Sequence, residues 1–271
     1  MDDTWKLTVW GVRGSAPAPG ANHAAYGGNT SCFSIDWGDT VVVLDAGSGL
    51  AALGEELVRR RIRRVDILLS HLHLDHIVGL FTFPLFHDPA AQIHLYGRPG
   101  LRQALNSLVG PPFWPLGLTE CGASVQMHEI REAGPFTLAD GAATGLTATA
   151  MEGNHPNGCH YYRLDWGGHS VVYALDCELE GDMTARMARF ARNVDVLVWD
   201  ASFFPGELIQ GWGHSTWEEG LAVGREAQAG QVLMAHYSPK QSDLLVRGQE
   251  ELARRVDSRI QFAREGMVIR L

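Results

Sequence analysis

The stretch "VDILLSHLHLDH", Val65 to His76, changes character halfway along. Its first six residues are mostly branched aliphatics, the signature of a short buried strand. Its last six hold His71, His73, Asp75 and His76. Spacings of two, two and one do not share a helix face, where neighbours lie three or four apart, but they suit a tight loop leaving a strand. Four side chains able to ligate a metal ion converge there. Three of the chain's 12 histidines fall within these six residues, which favours metal binding over a polar surface turn.

Outward from this motif the strand pattern recurs at 7–12, 31–37, 40–46, 92–97, 170–176, 194–200 and 231–236. Helical periodicity lies between, near 49–60, 77–86, 99–109, 182–191, 216–228 and 242–256. Interleaved strands and helices define an α/β protein. Because 124–176 reads mostly as strand, a pair of mixed sheets covered by helices fits better than one parallel sheet. Neither an internal repeat nor a linker stands out, so 1–271 reads as a single domain. The stretches "GSAPAPGANHAAYGGN" (14–29) and "GPPFWPLG" (110–117) are too apolar for linkers and read as ordered loops.

Composition narrows the function classes. At 271 residues, 45% hydrophobic and 20% charged, the chain builds a substantial core. No apolar run approaches the ~20 residues that cross a bilayer, and the start "MDDTWKLTVW" is acidic, so a cytoplasmic protein without membrane contact is expected. A net charge of −9 argues against a broad nucleic-acid footprint. The run "RRRIRR" (59–64) follows a helical pattern and reads as a solvated helix end, where the macrodipole favours cations. Cys32, Cys121, Cys159 and Cys177 lack C-x-x-C spacing and suggest neither a disulfide framework nor a thiolate metal site.

H-x-H-x-D-H at a strand end resembles the signature of the metallo-β-lactamase superfamily, and the similarity extends along most of the chain. The resemblance implies an αββα sandwich with metal sites on loops at one edge of two sheets. It assigns His155 in "EGNHPN" as the third histidine, Asp176 in "YALDCE" as the carboxylate bridging two metals, and His236 in "LMAHYS" as the last histidine. His71, His73 and His155 would hold one metal and Asp75, His76 and His236 the other, with Asp176 and a hydroxide shared. Asp75 thereby counts among the catalytic residues. Five imidazoles, two carboxylates and no thiolate suit Zn²⁺ and tolerate Mn²⁺ or Fe. Asp45, closing "VVVLDAG", resembles the aspartate that orients a ligand histidine through its other ring nitrogen. His23, His87, His94, His128, His160 and His169 follow no such pattern.

The superfamily hosts many hydrolases, so the fold alone gives no substrate. "GHST" (213–216) resembles the H-S-T motif of the ribonuclease Z and cyclic-phosphodiesterase branch, in which the histidine faces the substrate phosphate and protonates the leaving oxygen. This assigns His214 as general acid. "GVRGSAPAPG" with "YGGNTSC" is similar to the glycine-rich first loop of that group, and most closely to bacterial relatives of phosphoribosyl cyclic phosphodiesterase. Arg13 in this loop reads equally as a phosphate clamp or as a salt-bridged structural arginine. Asn29 and Ser31 are weaker substrate-binding candidates, since such residues in glycine loops usually cap turns. Between His76 and His155 the only arginines or lysines are Arg98, Arg102 and Arg131, so the basic arm that grips tRNA is missing. A small phosphodiester, either a cyclic nucleotide or a phosphoribosyl cyclic phosphate, is the expected substrate. A ribonuclease Z-like nuclease, a thioesterase and a lactamase are the alternatives, and a homodimer is left open.

Overall fold

A computed structural model describes residues 5–139 and 145–271. The acidic start and residues 140–144 of the strand-rich segment lie outside the described residues. The strands are β1 (Lys6–Gly11), β2 (Cys32–Trp37), β3 (Thr40–Leu44), β4 (Arg64–Leu68), β5 (Gln92–Gly97), β6 (Ser124–Glu129), β7 (Gly134–Phe136), β8 (Thr147–Gly153), β9 (Cys159–Trp166), β10 (His169–Ala174), β11 (Val196–Asp200), β12 (Gln231–Ala235), β13 (Ile260–Phe262) and β14 (Val268–Arg270). They form two seven-stranded sheets, ordered β14-β1-β2-β3-β4-β5-β6 and β13-β12-β11-β10-β9-β8-β7. Both are mixed. β3 to β6 run parallel, as do β10 to β13, and the remaining pairs are antiparallel.

Period-two alternation sorts the side chains between layers. Val9, Phe33, Leu44 and Leu68 of the first sheet face the second, where the Phe33 and Tyr173 rings meet edge-on at 5.6 Å. Val41, Val43, Val65 and Ile67 point the other way, against Leu50, Leu53 and Leu57 of α1 (Leu50–Arg60). Central strands buried on both faces explain the near-continuous apolar runs in the sequence. Helices Met183–Phe190, Trp217–Glu226 and Asp243–Val256 belong with the second sheet. Among the described residues no helix is long and apolar enough to cross a membrane.

Two expectations need correction. The motif loop does not remain irregular: after His71 and His73 it enters a single helical turn, α2 (Leu74–Ile77), which carries Asp75 and His76. The helix expected at 77–86 is instead two 3-10 segments, Val78–Thr82 and Pro84–His87, because Pro84 has no N–H to continue a ladder. The arginine run does close α1, with Arg61 as left-handed cap. Its side chains are paired with acids, Arg60 on Asp36 and Arg63 on Asp88.

Candidate functional site

In parallel sheets functional groups gather where strands end. Here Asp45 follows β3, His71 follows β4, Asp176 follows β10, Asp200 closes β11 and His236 follows β12, all at one edge of the sandwich. Asp45, Asp176 and His236 adopt positive φ values of 59°, 57° and 64°. Non-glycine residues hold such conformations at a cost of order 1–3 kcal/mol each, and only where the surroundings enforce them.

The donor atoms face one another. His155 Nε2 lies 3.1 Å from His73 Nδ1, and His236 Nε2 lies 3.2 Å from His76 Nε2 and 3.3 Å from Asp75 Oδ2. Asp176 stands between the two groups: its Oδ1 is 3.5 Å from His155 Nε2, while its Oδ2 is 2.9 Å from His76 Nε2 and 3.2 Å from His236 Nε2. His71 Nε2 and Asp176 Oδ2 are buried without a hydrogen-bond partner. A buried polar atom left so is costly unless something fills its place. Lone pairs that converge on two points, at His71, His73 and His155 and at Asp75, His76 and His236, fit a pair of cations.

Electrostatics agree with that fit. Burial, aided by the neighbouring imidazoles of His76, His155 and His73, pushes His71 well below the ordinary histidine range. Burial likewise lowers His155, so both rings keep a free lone pair. Burial opposes ionisation of Asp176, but His236 and His76 outweigh it and hold the carboxyl well below its usual range.

The outer ring nitrogens are held from behind, which fixes the orientation of each imidazole. His76 Nδ1 meets Asp45 Oδ2 at 2.7 Å, and Asp45 also accepts from Ser70 N–H, Ser70 Oγ and Tyr173 O–H. Ser202 Oγ supports His236 and Ser70 Oγ supports His71. His155 Nδ1 lies 2.8 Å from the carbonyl of Gly213. Gly213 has φ +80°, and a Cβ there would come within 2.1 Å of His155 Nδ1. No other residue fits.

His214 sits between the two groups, its ring 5.3 Å from those of both His155 and His236. Its Nδ1 is 2.8 Å from Asp200 Oδ2. Burial disfavours its charged form, yet Asp200, with Asp176 behind it, raises the imidazole to about 9. Among the described residues, Nε2 has no hydrogen-bond partner.

The early loop contributes differently from expectation. Arg13 is fully buried: its Nε donates to Gly27 O at 2.7 Å, its Nη1 to Gln241 O at 2.7 Å, and its Nη2 faces Asp243 at 3.6 Å. Of the two readings of Arg13 the structural one holds, and the phosphate clamp is ruled out by burial. Ser31 is buried with its hydroxyl on Arg13 O, and Asn29 spans Ser48 and Glu265. Neither turns a polar atom to the site. The loop reaches it instead through Ser15 N–H, which donates to Asp75 Oδ2 at 2.7 Å. Sequence reasoning missed Ser15, Asp200 and also Glu178, whose two oxygens accept Gly211 N–H and Gly213 N–H at 2.6 and 2.7 Å and so clasp the loop that carries His214.

Comparison with known proteins agrees with this geometry. A family model described as "Beta-lactamase superfamily domain" matches residues 40–237. The chain is 27% identical over 250 residues to the probable metallo-hydrolase YhfI of Bacillus subtilis, covering 85% of this chain and 86% of that protein. The crystal structure of that metallo-β-lactamase-fold protein superposes with a TM-score of 0.76, at 24% identity over 100% of both chains. Ribonuclease Z of Thermoplasma acidophilum is 24% identical over 293 residues, covering 91% of this chain and 90% of the enzyme. A diphosphatase from the PhnP family superposes with a TM-score of 0.70, at 20% identity over 98% of this chain and 97% of that one.

Proposed function

The chain belongs to the metallo-β-lactamase superfamily, as a metal-dependent hydrolase of the branch that includes ribonuclease Z, and on that premise we propose that it hydrolyses a small phosphodiester, with residues 1–271 acting as one catalytic domain. His71, His73 and His155 would hold one divalent ion and Asp75, His76 and His236 a second, zinc first among the candidates, with Asp176 shared between them. Such ions, when bound, polarise a phosphoryl oxygen and lower the pKa of water toward neutrality. Asp45, Ser70, Ser202 and the Gly213 carbonyl keep the imidazoles aimed, and Ser15 N–H steadies Asp75.

One observation carries the choice of reaction. His214 is fixed on Asp200 through Nδ1 and presents Nε2 midway between the two ligand groups. That is the place for a proton donor to a departing oxygen. An alkoxide needs that proton, whereas a thiolate leaves readily without one, which ranks a phosphodiester above a thioester. The charge of −9 and the engagement of Arg102 with Met127 O and of Arg131 with Glu129 leave little for a long RNA to hold. Small cyclic phosphodiesters therefore rank above tRNA.

The test is one metal-loaded sample offered bis-p-nitrophenyl phosphate, 2′,3′- and 3′,5′-cyclic nucleotides, a thioester, a chromogenic cephalosporin and a tRNA precursor. Turnover of a cyclic phosphodiester well above the others is expected. Faster cleavage of the precursor's 3′ trailer would make the chain a nuclease, and preference for thioester or cephalosporin would overturn the phosphodiester reading.

A further inference from the structure

Beside the first ligand group, His71 and His73 also wall a cavity of about 270 Å³ completed by Leu72, Arg98, Pro99, Asn157 and Gly158. Whole small-molecule sites run to roughly 300–1,000 Å³, so this volume suits one arm of a substrate whose reacting group lies at the ligand cluster. The cavity has one cation. Arg98, directly after β5, is held by its Nη1, which donates to Glu152 Oε2 at 2.6 Å and to Cys159 O at 3.1 Å. The guanidinium lies over Gly158, where a Cβ would come within 2.6 Å of Nη2. Any larger residue there would displace it.

Held this way by one nitrogen, Arg98 leaves Nε and Nη2 without hydrogen bonds to any described residue. Those two N–H groups form the edge of the guanidinium that takes two oxygens of one anion side by side. Asn157 Nδ2, 3.4 Å from His73 Nε2, adds an amide donor on the same wall. Arg98 contrasts with Arg102, bonded to Met127 O, and with Arg131, paired with Glu129 and away from the cavity.

We propose that this cavity receives a second anionic group of the substrate, a phosphate monoester seated on the Nε–Nη2 edge of Arg98. The inference rests on the phosphodiesterase reading and narrows it: the substrate is a phosphodiester that also carries a terminal phosphate, rather than a cyclic nucleotide without one.

The matched probes are adenosine 2′,3′-cyclic phosphate with and without a 5′-phosphate, with bis-p-nitrophenyl phosphate as a substrate lacking a second anion. The metal-loaded wild type should favour the 5′-phosphorylated compound by roughly tenfold or more in kcat/KM, the scale of one charge-assisted bidentate contact. Arg98→Gln should erase that preference mainly through KM while holding bis-p-nitrophenyl phosphate turnover within about threefold, and Arg98→Lys should restore part of it. Equal kcat/KM for the two cyclic compounds, or an equal loss on all three in Arg98→Gln, overturns the subsite. Calorimetry with adenosine 3′,5′-bisphosphate and adenosine 3′-phosphate separates the two failures. Tighter binding of the bisphosphate that depends on Arg98, without turnover of any phosphodiester, would keep the subsite and sink the reaction. Turnover with no binding difference would do the reverse.

Discussion

The strand-end cluster and the β1–β2 loop both bury charged side chains against backbone, and they do so in opposite ways. In the loop, donors meet acceptors: Arg13 Nε and Nη1 end on carbonyls and its charge faces Asp243. In the cluster, acceptors meet acceptors. Two imidazole nitrogens stand 3.2 Å apart, two others 3.1 Å, and Asp176 turns each oxygen to a different group. Protons alone satisfy such an arrangement poorly, whereas cations satisfy it fully. A buried charge is therefore evidence of a site only when its partners are of the same kind. By that test the cluster is a site and Arg13 is a bracket.

The largest effect is expected where the two ligand groups share a residue. Asp176→Ala should abolish nearly all turnover and release one of two metals while the far-ultraviolet dichroism stays native, because the bridging charge is lost but the strands remain packed. Elemental analysis of both proteins after zinc loading at neutral pH checks this. A wild type that never exceeds one metal per chain would break the two-group picture at its base.

His214 comes next. His214→Ala should keep both metals and lose roughly 10²–10⁴ in kcat on substrates with alkoxide leaving groups, the usual range for general acid catalysis, with a much smaller loss on a nitrophenyl ester. Equal losses on both substrates would leave His214 without a proton to give. Loss of a metal would move it from the donor role into the ligand set, which its 3.7 Å approach to Asp176 Oδ1 makes a real test.

Both variants probe residues that were legible in the sequence, and the reasons are local. His71 to His76 are contiguous, and Asp45, Asp176 and His236 each follow an unbroken apolar run, so a reader of strand ends finds them. Asp200 carried the same mark, closing "VDVLVWD" on a strand parallel to and beside β10. It was read only as the end of a strand. Glu178 and Arg98 had no local mark, since their defining contacts reach across 35 and 61 residues. The fold was legible for a related reason: alternation and near-continuous apolar runs report burial on one face or two. The segment 77–86 failed because Pro84 breaks a helix that its apolar spacing suggests.

Arg13 gives the smallest expected effect on chemistry and the sharpest test of the comparison. The sequence offered a clamp or a bracket, and the decision lies with carbonyls more than 220 positions away, at Ser238 and Gln241. Arg13→Met keeps the length and apolar stem but strands Asp243 and three carbonyls, which should cost about 3 kcal/mol. In a protein of this size that lowers Tm by roughly 6–12 °C. Well below the new Tm, kcat/KM on a cyclic phosphodiester should stay within about threefold of wild type, because the loop touches the cluster through Ser15 N–H rather than through the guanidinium. A large rise in KM with an unchanged Tm would return Arg13 to the substrate, and burial would then be a poor guide to which arginine in this molecule meets phosphate.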